Sequence, residues 1–405
     1  MTSIVTGLDI GSSQIKGMVA EVGKDGVLSV LSAFKESSAG FRRGVLVDTE
    51  EAAPILRALV LDLQKISKKA VQNVFVNVQS EQVKAKVSKG VAAVSRADKE
   101  IQQEDIERVT QASRAVKLMS NSIVLHNIVK EYFVDDVGDI TDPLGMTGSR
   151  LEVSTMIVEG FMPQINPLLK MLDRVGFGVA GLIFNPLASS RAVLSKKQKE
   201  LGVLMIDFGA GTTSIAIYEE GKVLHVKSIP LGSAYVTNDI AIGLKVPIEV
   251  AEKLKTTYGS AIASDIGRKE TVRLSEINAK LEGEVSRHFL AEIIEVRLAE
   301  ILDCVNNELK VLGRDVQLPA GVVVTGGGVK CPGMADLVKR ELRLPVQMGF
   351  PELGQFDVMN PTHKEVLDDP EFAVAVGLTL LGNAENKEAA SSIQAVKSFF
   401  RNLLP

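Results

Sequence analysis

The chain has 405 residues, more than one hydrophobic core usually serves, so two or more subdomains are expected. With 45% hydrophobic and 24% charged residues it has a globular composition, and a formal net charge of -4 offers no basic face to a nucleic acid. Cys304 and Cys331, its two cysteines, lie too far apart to suggest a disulfide framework or a structural zinc site.

Met1 to Thr6 has no basic stretch followed by an apolar run, so no signal peptide is expected. The first structured segment is Leu8-Asp9-Ile10-Gly11-Ser12-Ser13, then Ile15-Lys16-Gly17-Met18-Val19, a turn at Asp25-Gly26, and Val27-Leu28-Ser29-Val30. An Asp-Gly pair between apolar runs predicts a hairpin. From Glu51 to Lys68, apolar residues at 55, 56, 59, 60, 63 and 66 predict a helix. Lys84 to Gly160 interrupts this half as an inserted α+β subdomain. It is expected to hold a helix from Asp105 to Val116 and strands near Ile123–Val134 and Leu151–Val158, with a turn at Asp142-Pro143-Leu144-Gly145 between them.

Met205-Ile206-Asp207-Phe208-Gly209-Ala210-Gly211-Thr212-Thr213 repeats the opening pattern. It continues as Ser214-Ile215-Ala216-Ile217-Tyr218, turns at Glu220-Gly221, and resumes as Val223-Leu224-His225-Val226. A duplication spaced by about half the chain implies two related half-domains. Helices are predicted from Pro247 to Tyr258 and from Leu290 to Leu312, and a strand at Val322–Thr325 runs into Gly326-Gly327-Gly328. Strands alternating with helices make this an α/β fold. No window reaches the ~18 to 20 apolar residues a spanning helix needs. The densest stretch, Ala373 to Leu381, is short and contains Gly377. Residues 383–390 lack apolar periodicity and read as a linker, after which 391–405 become periodic again.

The two Asp-x-Gly turns share one chemistry. A polyphosphate needs several inward-pointing N–H donors, and glycines let backbone come close. Gly11, Ser12 and Ser13 in one turn, with Gly209, Gly211, Thr212 and Thr213 in the other, fit that need. Lys16 can supply charge to a β-phosphate, and Asp9 and Asp207 can hold Mg²⁺ through water, since Mg²⁺ prefers oxygen ligands and keeps its hydration. Thr325-Gly326-Gly327-Gly328-Val329 can bring backbone against a nucleoside. One such turn is usually just a hairpin; two copies plus a triple glycine point to a nucleotide. The pattern is neither a Walker A loop nor a Gly-x-Gly-x-x-Gly dinucleotide fingerprint. The four histidines show no ligand spacing.

These segments resemble the superfamily of actin, heat-shock chaperone ATPases and sugar kinases. Residues 8–17 and 205–218 are similar to its phosphate motifs, 322–334 to its adenosine motif, and 184–194 and 371–381 to its two connecting helices. Within it, the chain resembles the actin-like bacterial cell-division family FtsA, through Leu8–Ser13, Asp142–Met146, Pro186–Ser190 and the tail. That resemblance implies a duplicated actin-like (ribonuclease H-like) fold around a nucleotide cleft, binding ATP and Mg²⁺. The first half is then 1–83, completed by 161–195 and 371–382. The insert is 84–160, the second half 196–241 and 321–370, and a further subdomain 242–320.

The resemblance further implies that Glu252, Lys255 and Met334 flank the adenosine, and that Arg297 and Glu300 take the C-terminal peptide of the tubulin-like protein FtsZ. It also implies polymer contacts and later division partners for the insert. Chaperone-like relatives place a glutamate where this chain has Asn185. An amide is no general base, so ATP hydrolysis is expected to be slow or absent.

In the tail, Ile393, Val396, Phe399, Phe400, Leu403 and Leu404 recur at three- and four-residue spacing, with Lys397 and Arg401 beside them. This predicts a short amphipathic helix that folds on a lipid surface. The combined expectation is a scaffold, not an enzyme: ATP-bound protomers polymerising on the cytoplasmic side of the cell membrane at the division site. The alternatives are a PilM-like pilus assembly protein, which also lacks the usual actin insertion, or a small-molecule kinase, for which no catalytic aspartate is well placed.

Overall fold

The computed structural model describes residues 3–23, 26–115, 118–314 and 317–391. It opens with β1 (Ser3–Ile10), β2 (Gln14–Val22), β3 (Leu28–Ser37), and a small hairpin of β4 (Phe41–Arg42) and β5 (Val45–Leu46). Helix α1 (Thr49–Ile66) and β6 (Val74–Val78) follow. Next come β7 (Lys84–Ala93), α2 (Gln103–Ser113), β8 (Ser122–Val134), β9 (Val137–Ile140) and β10 (Arg150–Phe161). Helix α3 (Met162–Val175), β11 (Val179–Phe184) and α4 (Asn185–Val193) lead to the duplicate. That begins with α5 (Lys196–Leu201), β12 (Val203–Phe208), β13 (Thr213–Glu219) and β14 (Lys222–Ile229). It continues with α6 (Ser233–Leu244), α7 (Ile248–Tyr258), β15 (Thr271–Arg273), α8 (Leu274–Ile277), β16 (Glu284–Ser286) and α9 (Arg287–Val311). The last elements are β17 (Val322–Thr325), α10 (Met334–Leu342), β18 (Val346–Met348), β19 (Phe356–Asp357), α11 (Pro361–Leu367) and α12 (Ala373–Ser391).

Two sheets carry the same plan. In the first, ordered β11-β6-β1-β2-β3-β19, an antiparallel meander β1-β2-β3 is extended by parallel β6 and β11. In the second, ordered β14-β13-β12-β17-β18, the meander is β12-β13-β14 and the parallel strands are β17 and β18. The central strands are buried on both faces, as strands covered by helices on each side must be. One core joins the first sheet to α4, α12 and the near face of the second sheet. Another lies between the far face of the second sheet and α6, α7, α9 and α10. The residues between β6 and α3 build their own four-stranded sheet, β7-β10-β8-β9, with α2 on one face and a small separate core.

Local chemistry sets the helix limits. Asp48 caps α1, its carboxylate accepting the N–H groups of Glu50 at 2.9 Å and Glu51 at 3.1 Å. Helix α2 starts two residues before its expected position, because Asp105 reaches back to accept the Gln102 N–H at 3.0 Å. The stretch 383–390 is not a linker but the last turns of α12. Asn383-Ala384-Glu385-Asn386-Lys387-Glu388-Ala389-Ala390 lacks an apolar stripe yet is rich in strong helix formers, which extend a helix already nucleated by packing. Among the described residues no helix is long and apolar enough to cross a membrane.

Candidate functional site

The C-terminal ends of β1 and β12 deliver Asp9 and Asp207 to the space between the halves, where α/β sheets usually place ligands. The turns that follow are built alike. Gly11 N–H donates to Gln14 O at 3.0 Å, and Gly209 N–H donates to Thr212 O at 2.9 Å. Closing the turns this way leaves the N–H groups of Ser12, Ser13, Ala210 and Gly211 without a hydrogen bond to any described residue. All four residues line one cleft of about 360 Å³, within the ordinary size of a small-molecule site.

A chain of amides ties the two carboxylates together. Asn77 Nδ2 donates to Asp9 Oδ1 at 2.8 Å and to Asn185 Oδ1 at 2.9 Å, while Asn185 Nδ2 donates to Asp207 Oδ2 at 3.2 Å. Asn77 Oδ1 accepts the Ile10 N–H at 2.7 Å, so its orientation is fixed. Every member of this chain is buried. Burial drives the Asp207 carboxyl up to about 7, and the neighbouring Asp9 charge adds to the rise, against the pull of Lys16. Burial also raises Asp9, although Lys16 Nζ lies 3.3 Å away. Two carboxylates that resist ionising side by side are a site suited to a cation.

Other charges line the same cleft. Glu371, which burial alone would raise, is held low by Lys35 Nζ at 2.7 Å and Lys330 Nζ at 3.0 Å. Lys255 Nζ donates to Glu252 at 2.7 Å and to Thr237 Oγ1 at 2.8 Å, fixing both charged side chains on the wall formed by α6 and α7. Cys331 also lines the cleft, its thiol pushed up to about 11 by burial and so kept protonated.

The cleft therefore gathers Asp9, Gly11, Ser12, Ser13, Lys16, Asp207, Gly209, Gly211, Glu252, Lys255 and Gly326 to Gly328. Four expected residues stand differently. Thr212 and Thr213 spend their hydroxyls inside the protein: Thr212 Oγ1 donates to Gln79 Oε1 at 3.0 Å and Thr213 Oγ1 to Leu231 O at 2.8 Å. Val329 and Met334 are buried in the second core, because an apolar side chain beside a glycine run packs inward. Asn77, Gln79, Lys35, Lys330 and Glu371 escaped the sequence reading. The one available signal was the polar interruption of Val74-Phe75-Val76-Asn77-Val78-Gln79, a strand otherwise apolar.

Outside the cleft, Arg297 and Glu300 lie on α9. Arg297 is not a free cation: it forks onto Asp239 of α6 and bonds Glu300 at 2.6 Å. Phe289 and Val296, seven residues apart on the same helix, are exposed. His126 accepts the Phe184 N–H at 2.9 Å; burial lowers its pKa to about 4, so it stays neutral. Ile393, Val396, Lys397, Phe399, Phe400, Arg401, Leu403 and Leu404 lie outside the described residues.

Comparison with known proteins adds names to this geometry. Residues 204–377 match the family described as "Cell division protein FtsA", and residues 80–159 match the "SHS2 domain inserted in FTSA". The chain is 34% identical to the cell division protein FtsA of Pseudomonas aeruginosa, over 96% of this chain and 91% of that one. It is 34% identical to the Borreliella burgdorferi protein of the same name over 95% and 92%, and 29% identical to that of Escherichia coli K12 over 96% and 93%. Among solved structures, it superposes on the PilM–PilN type IV pilus biogenesis complex with a TM-score of 0.66 at 18% identity, covering 94% and 98% of the two chains. It superposes on MreB5 of Spiroplasma citri bound to AMPPNP with a TM-score of 0.56 at 13% identity, covering 96% and 99%. The duplicated architecture is the actin-like fold.

Proposed function

This chain belongs to the FtsA family of cell division proteins, and on that basis we propose that it is an ATP-binding scaffold that polymerises and links the FtsZ ring to the membrane. The amide chain Asp9–Asn77–Asn185–Asp207 carries the reading, because it links the two turns, whose four N–H groups have no hydrogen bond among the described residues. Those donors suit the phosphates of ATP, with Lys16 as a further cation. Asp9 and Asp207 would hold Mg²⁺ through its water shell, and the ion would offset the two buried charges. MreB5 was solved with AMPPNP in the same fold, which supports a nucleotide here. Glu252, Lys255 and Gly326 to Gly328 would meet the nucleoside.

Hydrolysis is proposed to be slow. Both ends of the Asn185 amide are already engaged, one accepting from Asn77 and one donating to Asp207, and an amide does not take a proton from water. Phosphate release from the full chain is expected well below ~1 s⁻¹; turnover at that rate would refute the assignment.

The exposed Phe289 and Val296 on the helix that carries the Arg297–Glu300 pair suit a peptide that brings both apolar and charged groups, which we assign to the FtsZ C-terminus. The insert is assigned to self-contact and later division partners. Residues 391–405 are proposed to act as an amphipathic segment on the cytoplasmic leaflet, where Lys397 and Arg401 each add about 1 kcal/mol. One such helix binds weakly, whereas a polymer presenting many binds tightly through effective concentration.

Electron microscopy and co-sedimentation on anionic vesicles, with and without Mg-ATP, test the reading. Full-length protein is expected to coat vesicles with filaments when ATP is present. A chain ending at residue 390 is expected to stay in the supernatant; its undiminished sedimentation would sink the anchoring role. A PilM-like role is favoured less, since that likeness is 18% identical against 34% for FtsA.

A further inference from the structure

The tip of the β4–β5 hairpin packs against both turns, on Ser12 of the first and Gly211 of the second. Arg43 and Gly44 both have positive φ, 49° and 73°, the backbone of a two-residue turn that reverses the chain tightly. Gly44 N–H donates to Ser12 Oγ at 3.0 Å, pinning the tip to the first turn. A Cβ on Gly44 would stand 2.1 Å from Gln79 O, so the tip is also seated against the end of β6.

From there the tip reaches the second half twice. At Gly211, in the second turn, a Cβ would stand 2.9 Å from Arg43 Cα and 2.5 Å from Ser12 Oγ, so the two turns and the hairpin meet without a gap. The Arg43 guanidinium lies over the Tyr235 ring, 5.4 Å from its centre. Tyr235 belongs to the first turn of α6, which is bonded to the second turn through Ser233 N–H to Gly209 O at 3.0 Å and Ala234 N–H to Ala210 O at 2.9 Å. Opening the cleft must break the Arg43 contacts on the second half as well as the Thr212–Gln79 hydrogen bond, while the tip's own contacts with Ser12 and Gln79 move with the first.

We propose that the β4–β5 hairpin is a strap that holds the cleft shut over the two turns, with Arg43 on Tyr235 as its clasp. Its release sets the rate at which nucleotide leaves. This gating of exchange rests on the ATP-binding reading above, whereas the closure itself does not. Arg43 and Tyr235 are positioning residues and touch no ligand.

Two measurements on the full chain test it. In the first, a fluorescent ADP analogue is chased from the protein with unlabelled ATP. Arg43→Ala and Tyr235→Ala are each expected to speed release about two- to five-fold, the share of a partly exposed cation–π contact. The double variant is expected to be no faster than either, because one contact is lost in all three. Tyr235→Phe keeps the ring and is expected to release at the parent rate. In the second, amide hydrogen exchange is followed across residues 208–214 and 233–237 without nucleotide, and Arg43→Ala is expected to lower protection there. Parent-like release together with parent-like exchange in Arg43→Ala and Tyr235→Ala overturns the strap. Should the unmodified protein bind no nucleotide, the ATP reading falls and the exchange result alone decides the strap.

Discussion

Replacing Gly377 by valine is expected to lower the urea midpoint of unfolding by about 1 M or more, the largest loss foreseen for any single residue. Gly377 sits in α12 where that helix crosses α4. A Cβ there would stand 1.8 Å from Ala188 O and 2.4 Å from Ala188 C. Both are backbone atoms of a buried helix, so no side chain can rotate away. On its other side α12 presses on β1, where a Cβ on Gly7 would meet Ala375 O at 2.4 Å. The helix therefore has no direction in which to retreat. Overpacking usually costs about 1–3 kcal/mol when neighbours can adjust. Here only backbone can adjust, so a cost of about 3 kcal/mol or more is expected, which is about 1 M of urea at a slope near 3 kcal/mol/M. Gly354→Ala is the control. Its Cβ would meet nothing within 4 Å, and its midpoint is expected to stay with the parent. A parent-like midpoint for Gly377→Val would show that the two helices stand further apart than described.

Asp207→Asn is expected to stabilise the nucleotide-free protein above pH 7 while abolishing its response to Mg-ATP. Burial and the Asp9 charge raise the folded-state carboxyl from 3.8 to about 7. A raised folded value favours the protonated folded state, so its stability is intact below the unfolded value and is lost as pH climbs toward 7. The rise from 3.8 to about 7 corresponds to a loss of about 4 kcal/mol at pH 8. Asparagine does not ionise and escapes that loss, so the variant's melting temperature should exceed the parent's at pH 8, by less at pH 5, and by little near pH 4. On the proposed Mg-ATP reading, adding Mg-ATP should reverse the ranking at pH 8, because only the parent would have two carboxylates for the metal to neutralise. The comparison is a pair of thermal unfolding series across pH, with and without Mg-ATP. A variant that melts below the parent at every pH would show that Asp207 is ionised and well satisfied without a cation, contrary to the origin assigned to its shift.

Much of the site was legible because its logic is local. Asp9-Ile10-Gly11 and Asp207-Phe208-Gly209 each combine a strand end with a turn, and both signals lie within a few residues. The periodic helices were legible for the same reason: the stripe Leu56, Leu59, Val60 and Leu63 of α1 is buried as its spacing requires. What escaped is long-range. Lys35 meets Glu371 across 336 positions of sequence, and Asn77 meets Asn185 across 108, so no window joins them. The threonines of the second turn misled for a different reason. A hydroxyl next to a phosphate turn serves a ligand or the scaffold equally well, and the Gln79 and Leu231 carbonyls that decide the matter lie elsewhere in the chain. The helical end of α12 escaped because periodicity marks an apolar stripe, and Asn383 to Ala390 carries strong helix formers without one.

The crossing of α4 and α12 also limits how the halves can move. Sliding between packed helices ordinarily proceeds by side chains changing rotamer within an interdigitated layer. At Gly377 and Ala188 that layer is missing, and main chain rests on main chain. The junction thus behaves as an axle without lateral play: it resists shear and leaves rotation as the available motion. A swing that widened the mouth of the cleft while keeping this contact would pivot here, and α12, running from the cleft wall to Ser391 over about 28 Å, would carry that rotation outward as a lever arm.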